Sequence, residues 1–420
     1  MTTQAGTLTK GTTQTPPGGL KRALGLWLLV FYGLGTIIGA GIYVLVGQVA
    51  GEAGMAAPIA FLLAGLLAAL TGLSYAELAA RFPEAAGAAA YVGEGLRSPI
   101  LSRLTGFAVL IVGIVVAASL ARGAAGYLDV FISLPTPFAA GLFVVVFTAV
   151  ACLGVRESVG IASMMTIVEL LGLVLVVVVG GPALGGFTAR LDEIVPDEAA
   201  EWVGVGAGGF LAFFAFIGFE SLANMGEEAK DAERTLPRAI LLSIAISTFL
   251  YVLVSLVAVL AVDPAALAGS DAPLTLVLEK SGWVFPKLLA LIALAAVPGG
   301  ILVDMVMTSR LLYGMARRGL VPSWLGHVGH RTRIPVIATL VAGAAAFVLA
   351  VGVPFGGLVA ATSSLTLLVF LGVNVALWRL QRTETKRHRG FHAPHWAAPT
   401  AAVLCFVLIV AEFGWRLFAG

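Results

Sequence analysis

Eleven stretches of this 420-residue chain are each long and apolar enough to cross a lipid bilayer, and that feature removes most folds from consideration. A helix needs about 20 apolar residues to span roughly 30 Å of hydrocarbon. The runs that pass fall at 25–50, 55–80, 104–128, 135–154, 159–181, 202–225, 237–262, 284–315, 334–352, 355–379 and 398–418. Lipid offers no partner for an open sheet edge, so spans of this kind are helical. The alternating ten-residue pattern of a membrane barrel does not occur. Composition agrees, with 59% hydrophobic and only 11% charged residues, where a soluble domain carries about 25% charge. The reading is an all-α membrane protein with about 11 transmembrane helices.

The charges matter by position rather than by sum. Lys and Arg total 25 and Asp and Glu 23, and the resulting net charge of +2 points to no partner. No basic patch suggests nucleic acid. Placing the N-terminus in the cytoplasm puts twenty of the 25 basic residues on the inner side, Arg81, Arg103, Arg234, Arg317 and Arg382 among them. Arg122, Arg190, Lys280, Lys287 and Arg416 fall outside. That asymmetry predicts a multi-pass plasma membrane protein with a cytoplasmic tail over 1–24. An acidic extracellular loop would cover 182–201, a basic cytoplasmic loop 380–397, and the C-terminus would lie outside. A signal peptide is not expected, because the first apolar run is too long and lacks a small-residue cleavage site.

Several chemistries find no support. Cys152 and Cys405 lie in apolar runs, which argues against a disulfide framework or a thiolate metal site. The histidines His327, His330, His388, His392 and His395 sit in two loops without a cysteine or acid cluster to complete a metal site. Gly39-Ala40-Gly41 follows no strand and is not a dinucleotide fingerprint. Protease and hydrolase motifs are missing, so no enzyme and no cofactor is expected.

Two helices carry interruptions in mid-membrane. The first span reads FYGLGTIIGAGIYVLVG, where Gly39 and Gly41 weaken the helix and bare its backbone. Gly35-x-x-x-Gly39 also fits close helix packing, and the glycines alone do not choose between the two. The sixth span, GGFLAFFAFIGFESLANMGEEAK, holds Gly218 and the ionisable Glu220. Five spans separate the two interruptions, so they fall at corresponding places in two five-helix halves, 25–181 and 202–379, followed by an additional helix over 398–420. That arrangement points to an inverted-repeat transporter with a midplane site. Unwound backbone presents N–H groups at one half-helix end and C=O groups at the other. An amino acid zwitterion has a carboxylate for the first and an ammonium for the second.

At these residues the chain resembles the amino acid–polyamine–organocation permeases. The resemblance is carried by GTIIGAGIYVL, by FFAFIGFESLANMGEEAKDAERTLPRAI, by SYAELAARFPEAAG and by SRLLYGMARRGLVPSWLG, across about residues 20–395. It implies a LeuT-type fold with broken first and sixth helices; members often have twelve helices, one more than this chain. It also implies that the substrate carboxylate meets backbone at Ile37, Gly39, Ala40 and Gly41. The ammonium would meet carbonyls of Phe214, Ala215 and Ile217, with Phe214 as an aromatic lid. Ordinary core packing is the alternative for that phenylalanine.

Each mid-bilayer charge costs at least about 2.5–3.5 kcal/mol, so each needs a reason. Glu169 lies near the centre of the fifth span, where the resemblance leads one to expect a lysine. It is either a proton carrier or a neutral hydrogen-bond donor. Glu220 is a second proton-coupling candidate, with capping of loose N–H groups as the alternative. Asp304 in the eighth span falls where relatives place a substrate-contacting side chain, which suggests a cationic substrate group or a second proton site. Gly113, Ala117 and Ala118 of the third span suggest instead an apolar pocket, so the side-chain class stays open, leaning to neutral. Thr308 and Ser309 could serve sodium, the less favoured ion. About 2.3 kcal/mol from 100 mV and about 1.4 from one pH unit would concentrate a neutral substrate several hundredfold. The expected function is proton-coupled amino acid transport by symport or antiport, with amine or polyamine exchange and a membrane channel as rivals.

Overall fold

The computed structural model describes residues 24–83, 87–153, 155–226, 228–283, 285, 287–317, 319–328, 334–383 and 390–419; for 39, 40, 155–163, 413 and 415–419 it describes backbone alone. The tail, His330, His388, and basic residues such as Arg318 and Arg331 lie outside that set. Eleven helices coincide with the eleven apolar runs: α1 (Leu26–Ala53), α2 (Ala57–Arg81), α3 (Pro99–Asp129), α4 (Thr136–Ala151), α5 (Val155–Gly180), α6 (Ala199–Phe214), α7 (Ala232–Ala261), α8 (Lys287–Arg317), α9 (Val336–Gly352), α10 (Phe355–Thr383) and α11 (Ala397–Ala419). Among the described residues, seven helical stretches are long and apolar enough to cross a membrane. The shorter α4 and α9, of 16 and 17 residues, stop short of the expected limits.

Local chemistry explains the boundaries. Ser98 starts α3 by accepting from Leu101 N–H at 3.3 Å, with Pro99 in the first turn. Gly54, at φ 56°, ends α1 in a conformation that costs glycine little. Pro298 and two following glycines sit inside α8 and open its ladder at mid-span.

The helix pairings repeat with a shift of five. α1 packs on α7 as α6 packs on α2, and α5 packs on α8 as α10 packs on α3. α3 meets α4 as α8 meets α9, and α5 meets α7 as α10 meets α2. The pairs α1–α6, α2–α7, α3–α8 and α4–α9 map onto themselves. Five is odd, so if every helix crosses once, equivalent helices cross in opposite directions. This is the pairing an inverted repeat requires.

α11 stands outside the two sets and packs on α10 and α2. Asn374 Nδ2 marks that junction, donating to Thr71 Oγ1 at 3.1 Å and meeting Cys405 Sγ at 3.9 Å. Glu77 on α2 ties down the segment before α11. Its fully buried carboxylate accepts from Arg81 at 2.6 Å, from Gln381 Nε2 at 2.8 Å and from the Ala393 N–H at 2.8 Å. His392 lies 3.8 Å from the same carboxylate, a structural neighbour rather than a metal ligand.

The two expected interruptions differ. α6 stops at Phe214, and three tight turns lead to Gly218 at φ 129° before a 3-10 stretch over Phe219–Met225. α1, in contrast, is helical through Gly39–Gly41. Its glycines serve close approach: a Cβ at Gly41 would lie 2.6 Å from Ala215 Cα, and one at Gly35 would run into Thr166. Loosening shows instead in the Ile37 and Ile38 carbonyls, which both lie within reach of the Tyr251 hydroxyl, at 2.9 and 3.3 Å.

Gly218 is the residue this break cannot change. Its φ is open to glycine alone, and a Cβ would run into the Thr36 carbonyl. Gly218→Ala should lower the thermal midpoint by more than the ~1 kcal/mol that backbone strain alone implies. Gly206→Ala, with open space at its Cβ, should leave the midpoint unchanged or raise it. Equal midpoints for the two variants in a detergent melting experiment would contradict this account of the break.

Candidate functional site

The break in α6 faces a cavity of about 580 Å³. Its floor is α1 at Gly35, Thr36, Ile37 and Gly41 against Phe214, Ile217 and Gly218 of the broken segment. One wall is α3, apolar at Val109, Val112, Gly113 and Val116; the other is α8, with Asp304, Met307 and Thr308. From there the cavity runs to the end of the molecule where α3 begins and α8 finishes, past Arg103, Arg310, Glu228 and Leu320.

The other end is shut. Gly47 leaves no room for a Cβ against the Leu267 carbonyl, and a Cβ at Gly126 would lie 2.8 Å from the Asp271 carbonyl oxygen. The segment holding the short helices Pro264–Ala268 and Pro273–Lys280 thus packs directly on α1 and α3. The Tyr127 hydroxyl donates to the Tyr43 carbonyl at 2.6 Å, and Tyr43 to the Glu169 carbonyl at 2.6 Å. Among the described residues the cavity lining reaches one end of the molecule, while the other end is packed.

Backbone freed by the break is taken up by specific side chains. The Gly218 N–H donates to Glu220 Oε2 at 2.9 Å, and the Thr36 hydroxyl shares its one proton between the Gly33 and Gly218 carbonyls, 3.0 and 3.1 Å away. The Tyr251 hydroxyl on α7 lies 2.9 Å from both the Ala215 and Ile37 carbonyls. One hydroxyl has one proton, so it cannot satisfy all three surrounding carbonyls at full strength. A contact hub therefore joins α1, α6 and α7 at the level of the break.

The sequence candidates sort into three places. Ile37, Gly41, Phe214, Ile217, Glu220 and Asp304 line the cavity. Ala215 does not; its carbonyl turns to Tyr251 and its Cα backs onto Gly41. Glu169 is also elsewhere, 2% exposed on α5, its Oε1 without a hydrogen bond among the described residues and close enough to Tyr43 and Tyr251 to act on both electrostatically. For Gly39 and Ala40 only the helical backbone is described.

Geometry corrects one expectation. Ala117 and Ala118 are fully buried in packing, and of that trio only Gly113 reaches the cavity. Thr308 lines the main cavity, but Ser309 faces a second, smaller cavity of about 290 Å³ and donates to Val306 O at 2.9 Å.

Sequence reasoning missed Tyr251, Glu228, Arg103 and Arg310 as parts of this region. Tyr251 carries no signal, being one aromatic in an apolar span. The two arginines and Glu228 read as loop-side charges, and only the fold turns them toward one mouth.

Tyr251→Phe deletes the hub hydroxyl while keeping the ring against Phe61 and Phe216, 5.9 and 5.1 Å away. Leaving buried carbonyls undonated should cost about 1–3 kcal/mol, read as a lower thermal midpoint. An unchanged midpoint would mean that these carbonyls do not depend on Tyr251.

Residues 24–417 match the amino acid permease family model. The branched-chain amino acid permease of Bacillus subtilis is 29% identical, over 94% of this chain and 89% of its own. Two Arabidopsis thaliana proteins, the mitochondrial cationic amino acid transporter 3 and the vacuolar cationic amino acid transporter 4, are each 32% identical. Those matches cover 85% and 86% of this chain but 62% and 63% of the longer plant proteins. With the match reaching from the start of α1 into α11, the chain belongs to the amino acid permease family.

Proposed function

We propose that this protein is a secondary active amino acid transporter of the plasma membrane that works by alternating access and is coupled to protons. The observation that carries the reading is the cavity at the α6 break, open at one end and sealed at the other. The open end is the one near Arg103, Arg310 and Arg317, so by the excess of basic residues it faces the cytoplasm. Substrate would sit between Gly35–Gly41 of α1 and Phe214–Gly218, with its carboxylate toward α1 and its ammonium toward the carbonyls of the broken segment. Phe214 is 4% exposed and still contributes to the lining, which suits a lid better than a lipid-facing ring.

Two sites are proposed for the coupling proton. Glu220 borders the cavity and can exchange with water there. Glu169 is buried on α5, where its backbone carbonyl accepts from Tyr43 of α1 and its carboxyl Oε1 has no hydrogen bond among the described residues. Protonation of Glu169 would remove a buried charge beside the hub and so bias which end is open.

Amine or polyamine transport is the second reading, and Asp304 is the observation that favours it. A substrate without a carboxylate would leave the α1 side of the site unused, and the names of the relatives refer to amino acids. A channel would need a continuous pore; the packing of Gly47 and Gly126 speaks against one.

Proteoliposomes test the proposal. An inside-alkaline pH gradient should drive accumulation of an amino acid that binds, and Glu169→Gln should retain counterflow while losing gradient-driven accumulation. Accumulation that remains fully gradient-driven in this variant would remove Glu169 from the coupling. Unitary conductance without saturable uptake would favour the channel.

A further inference from the structure

Glu220 and Asp304 line one cavity and lie close enough to act on each other electrostatically. Glu220 holds the Gly218 N–H. Asp304 has no hydrogen bond or ion pair among the described residues and faces open space. Among the described residues, the titratable and charged groups around the pair are Tyr32 on α1, Tyr75 on α2, Arg103 on α3, Glu228 before α7 and Arg310 on α8. Both arginines are exposed at the mouth, where water screens them. Neither neutralises the pair from within.

Two neighbouring carboxylates in a confined site do not both stay ionised unless a cation joins them; otherwise they share a proton. On this reading the empty cavity holds one proton on the pair. A side chain ending in an ammonium or guanidinium supplies the same positive charge. An apolar side chain does not. The α3 wall of Val109, Val112, Gly113 and Val116 accepts either a branched aliphatic group or the methylene stem of a long cationic one.

We propose that a proton and the side-chain cation of the substrate compete for the Glu220–Asp304 pair, so that neutral amino acids travel with the proton in place and cationic amino acids travel instead of it. The charge balances. With leucine the pair keeps one proton and one negative charge. With lysine both carboxylates are ionised, the side chain adds one positive charge, and the displaced proton leaves through the mouth to solvent. The net charge of the loaded site is the same in both cases. This inference rests on the amino acid transporter reading above and adds the substrate class and the form of coupling.

Isothermal titration of the purified wild-type protein with lysine and with leucine, in buffers of different ionisation enthalpy, measures protons released on binding. Lysine should release about one proton and bind about tenfold more tightly per pH unit gained, while leucine releases none and binds independently of pH over the same range. Asp304→Asn should lower the lysine-to-leucine affinity ratio at least ~30-fold and abolish proton release, its thermal midpoint serving as the check on folding. Equal proton release for the two ligands, or an unchanged affinity ratio in a folded Asp304→Asn, overturns the competition. So does binding of leucine alone, which leaves the transporter reading standing. Failure of the wild type to bind either amino acid overturns both.

Discussion

In hydrocarbon every backbone N–H and C=O must find its partner inside the protein, and the break in α6 is where that demand shapes the molecule. Stopping the helix at Phe214 frees polar groups in the middle of an apolar bundle. Glu220, Thr36 and Tyr251 take them up, from the break itself, from α1 and from α7. The same contacts fix where α1 runs, because Gly41 must let Ala215 approach and Gly218 must tolerate the Thr36 carbonyl. A cavity with polar backbone at its floor is the consequence. Its walls, α3 and α8, are a self-equivalent pair, the third helices of the two sets of five.

The apolar runs made the eleven helices legible, since bilayer thickness leaves little freedom over where a span can lie. Gly218 with Glu220 made the second interruption legible, because a charge beside a glycine in mid-span has few other uses. The first was ambiguous for a physical reason. Glycine serves equally to unwind a helix and to let another backbone come near, and at Gly35 and Gly41 the structure uses it for approach. Glu77 escaped notice because an acid four residues before Arg81 looks like a surface pair. Its burial depends on Gln381 and Ala393, about three hundred residues further along the chain. Ala117 and Ala118 were misplaced because an α-helix with little amphipathic contrast does not announce which face meets the cavity.

The three intramembrane acids now have different surroundings. Asp304 and Glu220 share a water-accessible cavity, whereas Glu169 is sealed behind α1 beside two tyrosines. The first two border the open cavity, and the third does not. The relatives divide in a similar way, one named for branched-chain and others for cationic amino acids. On the proposed reading, a site whose charge is set by a removable proton would accommodate either kind without a change of fold.

The central claim is that one cavity binds substrate and is reached from one side at a time. Met307 lines the cavity below the break, and Met307→Cys in a background lacking Cys152 and Cys405 places a single thiol there. Labelling with a membrane-impermeant thiol reagent in oriented vesicles measures access. The account predicts labelling from the cytoplasmic face without substrate and protection when a transported amino acid is added. Simultaneous labelling from both faces, or a rate that no amino acid alters, would contradict it.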